Sequence, residues 1–122
     1  MVIKMDDQKK IALAAFDASE YEKALVLMLP IAEDGDIDMM CNVGTIYQLG
    51  LGTSRNLEQA VYWLEKAALL GNALAAHNLG TLYMTCLPDW PLNPEACDKW
   101  RKLSNKLGEM PFSMGGKNKS SS

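Results

Sequence analysis

The chain has 122 residues, 48% of them hydrophobic, which is enough for one domain with a modest core and too little for two. Its 12 lysines and arginines against 15 aspartates and glutamates give a formal net charge of -3, so it lacks the basic field that collects nucleic acid or anionic lipid. The charged start has no signal-peptide core and no apolar run approaches the roughly 18 residues of a membrane helix, so we expect a cytoplasmic protein that binds neither nucleic acid nor membrane.

Apolar periodicity and helix-end signals predict six helices. No segment alternates with period two over a strand length, so the predicted fold class is all-α. Asp36, Asn56 and Asn93 suit N-cap positions, and Gly35 and Gly71 suit the ends of the preceding helices. In chain order the predicted helices are Asp7–Ala18, Tyr21–Glu33, Ile37–Leu49, Leu57–Leu70, Ala73–Met84 and Pro94–Leu107.

The chain repeats itself with a period close to 36 residues. Four residues of the third predicted helix recur 36 positions later in the fifth: Asn42, Gly44, Thr45 and Tyr47 match Asn78, Gly80, Thr81 and Tyr83. After the following loop the offset becomes 37, where Asn56 and Trp63 match Asn93 and Trp100. Such a period indicates stacked helical hairpins. We therefore predict a short α-solenoid of about three antiparallel helix hairpins over residues 6–34, 35–71 and 72–108, together one domain over residues 1–108.

The repeated glycines predict close approaches of the backbone. Gly44 and Gly80 lie mid-helix, where glycine costs roughly 1 kcal/mol against alanine, so each is expected to admit a neighbouring helix. Gly50-Leu51-Gly52 suits a loop that needs positive φ at a helix end. It does not predict nucleotide binding, because the dinucleotide fingerprint requires a preceding strand.

The stretch from Gly35 to Gly71 carries the pattern Asn-x-Gly-x-x-Tyr-x-x-Gly-x-Gly followed by Ala-x-x-Trp-x-x-Lys-Ala-Ala-x-x-Gly. This pattern resembles the Sel-1-like repeat, a relative of the tetratricopeptide repeat. Residues 72–108 resemble it well through Tyr83 and loosely afterwards, as in a degenerate terminal repeat. Residues 6–34 are similar to a tetratricopeptide hairpin with a shortened turn.

The resemblance implies a module that binds proteins or peptides, so we predict an adaptor or scaffold with a partner on its concave face. An inhibitor or immunity-type protein that blocks a cognate enzyme or toxin is the alternative. In hairpin stacks the first helix of each pair lines the concave face. The contact residues predicted on those helices are Asp38, Cys41, Thr45 and Gln48 and their repeat partners Leu74, His77, Thr81 and Met84.

Other chemistry is not predicted. No nucleophile, base and orienting group can be assembled, so we expect neither catalysis nor a cofactor. Asp38, Cys41 and His77 offer three metal ligands where a structural zinc site takes four, so no metal site is expected. Cys41, Cys86 and Cys97 form no CxxC pair and are expected to be thiols, with a Cys86–Cys97 bridge as the alternative.

The ends of the stack carry further expectations. A stack of three hairpins exposes apolar faces at both ends, which favours weak self-association. Residues 109–122 form a tail that is expected to be mostly disordered, because its last eight residues have little apolar surface. Met110, Phe112 and Met114 are the exception, and we expect them to fold back over the last hairpin.

Overall fold

Six helices account for about 80% of the structure, a computed structural model that describes residues 4–84 and 92–108. They are α1 (Met5–Asp17), α2 (Tyr21–Glu33), α3 (Ile37–Leu49), α4 (Leu57–Leu69), α5 (Ala73–Met84) and α6 (Pro94–Gly108). No strand occurs within these ranges, and the predicted all-α class and helix order are confirmed. The predictions for Cys86 and for the tail concern residues outside the described ranges.

Local side-chain chemistry explains where these helices begin. The predicted N-caps are confirmed, since Asp36, Asn56 and Asn93 each accept a hydrogen bond from the backbone N–H three residues later, at 3.0, 3.1 and 3.1 Å. Asn72 caps α5 in the same way, with its Oδ1 2.8 Å from Ala75 N, and was not predicted. Because Asn72 follows Asp36 by 36 residues, the repeat itself contained that signal.

Glycine ends the helices that precede these caps. Gly35 and Gly71 have φ of +107° and +108°, which a residue with a side chain rarely adopts. Gly50 closes α3 in the left-handed conformation, with φ +69°, and Gly52 has φ +68°. The predicted need for positive φ in the Gly50–Gly52 loop is therefore confirmed.

Adjacent helices pair, and the pairs pack in chain order. The pairs are α1 with α2, α3 with α4 and α5 with α6, while α2 against α3 and α4 against α5 join one pair to the next. One continuous apolar core runs through these contacts and includes Met28, Met39, Leu64 and Leu79, all with 0% exposure. A stack of this kind places α3 and α5 beside each other, where they also touch directly.

The two repeat-equivalent glycines have different neighbours. A Cβ at Gly44 would lie 2.7 Å from Leu64 Cγ, so α3 and α4 are as close as the prediction requires. A Cβ at Gly80 would lie 3.5 Å from Cys97 O and 3.7 Å from Arg101 N, which is ordinary van der Waals contact. Glycine is thus required for packing at Gly44, whereas the space beside Gly80 would accept alanine.

Candidate partner-binding surface

The eight predicted contact residues lie on α3 and α5, and they differ in exposure. Leu74, His77, Thr81 and Met84 on α5 are all exposed. On α3, Asp38 is exposed, Thr45 and Gln48 are half-buried, and Cys41 is buried with 2% exposure. A partner could therefore contact seven of these side chains without disturbing the fold, and Cys41 only if helices separated.

Thr45 connects the α3 residues to α5. Its Oγ1 donates to Cys41 O at 2.9 Å and accepts a hydrogen bond from Asn78 Nδ2 at 3.2 Å. Asn78 therefore holds the two first helices together, as expected for a half-buried side-chain amide. The Cys41–Thr45 part of α3 is consequently a contact with the next hairpin.

Cys41 is electrostatically as well as sterically protected. Burial, together with the negative charge of Asp38, raises the pKa of its thiol to about 11, against the lowering effect of Thr45. Because the thiolate is the reactive form, this cysteine is inert at neutral pH.

At the Asp38 end, α1 contributes a residue that sequence reasoning did not find. Lys9 Nζ lies 3.0 Å from Asp36 Oδ2 and 3.5 Å from Asp38 Oδ2, and its hydrogen bond to Asp36 raises the Lys9 pKa. These side chains, with Leu70 and Asn72, line a shallow depression of about 480 Å³ where the turns between hairpins meet. The only sequence signal was charge complementarity, because Lys9 belongs to the hairpin without a full repeat motif.

The predicted contact residues of α5 border a groove between α5 and α6. This groove contains a partly open cavity of about 250 Å³. His77, Gly80, Thr81 and Met84 form its α5 side. Thr81 Oγ1 donates to His77 O at 3.2 Å, repeating the bond between Thr45 and Cys41 one hairpin earlier. On the central hairpin, the corresponding face of α3 and α4 is the one on which α5 packs.

Four α6 residues complete this groove and were missed by reasoning from first helices alone: Cys97, Arg101, Ser104 and Asn105. At the offset of 37 they correspond to four residues of α4 with at most 1% exposure: Ala60, Leu64, Ala67 and Ala68. Comparing the second helices position by position would have revealed the replacement of apolar by polar residues at Arg101, Ser104 and Asn105. The last hairpin therefore presents a polar version of a surface that is interior in the central hairpin.

No group of three or more His, Cys, Asp or Glu side chains that could hold a metal ion occurs in the part of the chain that the structure describes. Cys41 and Cys97 are free thiols. None of the helices in residues 4–84 and 92–108 is long and apolar enough to cross a membrane.

Paired helices stacked in register, with small residues at the contacts, define a helical-repeat protein. Residues 37–72 match the family model of the Sel1 repeat. The crystal structure of a Sel1 repeat protein from Oxalobacter formigenes superposes with a TM-score of 0.72 at 26% identity, covering 84% of this chain and 40% of that one. The resemblance to the Sel-1-like repeat family is confirmed, and the chain carries a Sel1 repeat within an α-solenoid fold.

Curated relatives are much longer than this chain. Over 62 residues it is 37% identical to a rat protein, DAP3-binding cell death enhancer 1, and 36% identical to the mouse protein of that name. These matches cover 51% of this chain and 12% of each relative. Sel1 repeat proteins are generally protein-interaction modules.

Proposed function

We propose that the chain is an adaptor or scaffold module that binds a protein or peptide partner across α3 and α5. The observation that carries this proposal is the exposure of apolar side chains beside hydrogen-bonding groups on α5. Leu74 is 58% and Met84 53% exposed, with His77 and Thr81 between them. Apolar anchors next to directional polar groups are the usual composition of a peptide-binding groove.

The proposed contact surface comprises seven of the eight predicted residues: Asp38, Thr45, Gln48, Leu74, His77, Thr81 and Met84. Cys41 is left out because its side chain is buried. At the α3 end the charges of Asp38 and Lys9 are already paired with each other. Exposed pairs of this kind contribute little affinity, so the apolar residues of α5 are the expected anchors.

The relatives support a protein partner in general terms. The rat and mouse proteins are named as DAP3-binding proteins. Because the matched region is a small part of those proteins, we carry over only the class of ligand, another protein. No nucleic acid or membrane is proposed as a partner, because the net charge of -3 gives no attraction to anionic polymers or lipids.

Affinity capture with paired variants tests the surface. The bait carries Leu74→Glu, and the control bait carries Leu69→Glu, which changes a leucine of 71% exposure on α4. A partner anchored on α5 should be captured about tenfold less by Leu74→Glu than by the control, the usual cost of losing one central contact.

A second pair of baits examines the neighbouring turn of the same helix. Thr81→Arg adds a long side chain on α5, and Gln59→Arg makes the same addition at an exposed position of α4. Thr45 is unsuitable for this purpose, because a substitution there breaks its bond with Asn78. Equal capture of the same proteins by all four baits would show that the proposed surface is not the binding site.

A further inference from the structure

The groove between α5 and α6 is the repeat-equivalent of a surface that is covered one hairpin earlier. On the central hairpin Leu64 and Ala67 are fully buried, with Leu64 against Gly44 of α3, and α5 packs on this hairpin through contacts with both α3 and α4. Their counterparts Arg101 and Ser104 line the cavity of about 250 Å³. The last hairpin thus retains the shape of a docking site for the next piece of chain.

The polar replacements determine what kind of chain fits there. Arg101 is paired with Asp98, and Lys102 Nζ also lies 2.9 Å from Asp98 Oδ2. A further hairpin packed as α5 packs on α4 would bury Arg101, which is unfavourable for a charged group. A single extended segment is narrower and would leave Arg101 at the solvated rim, so it fits the groove better than another helix pair.

We propose that residues 110–114 of this chain, Met110-Pro111-Phe112-Ser113-Met114, occupy this groove as an extended segment with Phe112 in the cavity. The chain leaves α6 at the correct end, because Ser104 Oγ donates to Ala73 O at 3.1 Å and so places the last turns of α6 beside the start of α5. From His77 to Met84 the groove follows about 10 Å of helix. Residues 110 to 114 span about 13 Å when extended, which covers that length.

The chemistry of the segment matches the groove. Side chains at alternate positions of an extended chain share one face, so Met110, Phe112 and Met114 all point the same way. Pro111 favours an extended conformation in the residue before it and opposes continuation of the helix. Met84 is 53% exposed at the far end of the groove and offers a soft apolar surface to an aromatic ring or to a second methionine.

This inference goes beyond the proposed partner binding, and the segment would cover His77, Thr81 and Met84 of that surface, so a partner would have to displace it. The test uses purified protein without a partner, so its outcome does not depend on the capture experiment. Cys97 lines the groove and is a half-buried free thiol, which makes its alkylation rate a measure of groove access. In a Cys86→Ser background, Cys97 and the buried Cys41 fall in separate tryptic peptides, so mass spectrometry follows each rate. The Cys41 rate serves as the internal standard for opening of the whole fold.

The test variant replaces Met110, Phe112 and Met114 by serine, and the control variant replaces Lys117, Asn118 and Lys119 by serine. The ratio of the Cys97 rate to the Cys41 rate should be about fivefold higher in the test variant than in the protein with the unsubstituted tail. This is the factor expected for a segment that is bound about four-fifths of the time. The control variant should match the unsubstituted tail. A synthetic peptide of residues 109–116 should restore slow alkylation to the test variant in a saturable way.

Three results would overturn the proposal. One is the same Cys97 rate in all three proteins, which would show an unoccupied groove. Another is a Cys97 rate in the unsubstituted-tail protein that rises on dilution, which would identify a second copy as the occupant. The third is either no slowing of the reaction in the test variant by the 109–116 peptide, or equal slowing by a peptide of unrelated sequence.

Discussion

Gly44→Ala and Gly80→Ala are predicted to change stability in opposite directions, although the two glycines are repeat-equivalent. At Gly44 a Cβ would lie 2.7 Å from Leu64 Cγ and 2.8 Å from Leu64 Cδ2, with Leu64 N at 3.2 Å. Leu64 is fully buried, so its side chain has to shift by about 1 Å to restore an ordinary contact of roughly 3.6 Å. The atoms that must move are in the core, which makes the substitution an overpacking change.

The magnitude follows from two opposing effects. Overpacking costs about 1–3 kcal/mol, and replacing a mid-helix glycine by alanine returns about 1 kcal/mol. Gly44→Ala should therefore lower the free energy of unfolding by about 1 kcal/mol. At Gly80 the nearest atoms are 3.5 and 3.7 Å away, so only the helix gain of about 0.5–1 kcal/mol remains.

Urea denaturation followed by far-ultraviolet circular dichroism measures both changes. Thermal melts should shift by about 4 °C in opposite directions. A second comparison repeats Gly44→Ala in a Leu64→Ala background, where the contacts with Cγ and Cδ2 are removed and only the 3.2 Å contact with the backbone N of residue 64 remains, so most of the penalty should disappear. Equal shifts at Gly44 and Gly80, or an unchanged penalty in the Leu64→Ala background, would refute the packing argument.

Three further predictions concern two glycines with positive φ, a helix cap and a buried thiol. Gly52→Ala should destabilise by about 3 kcal/mol, because its Cβ would lie 2.5 Å from Glu22 N at φ +68°. Gly71→Ala, with φ +108° and no atom within 4 Å, should cost only about 1–2 kcal/mol in the same urea titration. Asn72→Ala should lower the free energy of unfolding by about 1 kcal/mol through loss of its cap bond, with unchanged helical content in circular dichroism. Folding raises the pKa of Cys41 from 9.0 to about 11, so the neutral thiol stabilises the folded state. Its contribution to the free energy of unfolding is complete below pH 9 and falls by about 1.4 kcal/mol per pH unit between pH 9 and pH 11. The urea midpoint should therefore fall more between about pH 8 and pH 10.5 in the unsubstituted protein than in Cys41→Ala. Tyr83, whose pKa is raised by burial, is present in both proteins, so its contribution cancels in this comparison.

Helix positions were largely predictable because their signals are local. The bounds of α2, α3 and α5 agree with prediction, and the caps at Asp36, Asn56 and Asn93 were identified from residue type and position. Disagreements are confined to ends, such as α1 beginning at Met5 instead of Asp7. Helix ends fray and lack periodicity, so a shift of one or two residues is expected there.

Neighbour relations were predictable only in part. The repeat predicts that Thr45 and Thr81 occupy the same position in their helices, and both do bond to the carbonyl four residues earlier. It does not state that Asn78 covers Thr45, because that contact joins two hairpins. The burial of Cys41 has the same origin, since the exposure of a repeat position depends on which element follows in the stack.

A consequence for recognition follows from this dependence on position in the stack. In the central hairpin the sequence keeps Ala67 and Ala68, which are buried, whereas the last hairpin has Ser104 and Asn105 at those positions. This departure from the repeat indicates a changed surface, because it replaces side chains that only pack by side chains that can donate and accept hydrogen bonds. Buried positions of the central hairpin that become polar in the last hairpin mark the surfaces that stacking does not require there. In this chain they converge on the groove between α5 and α6.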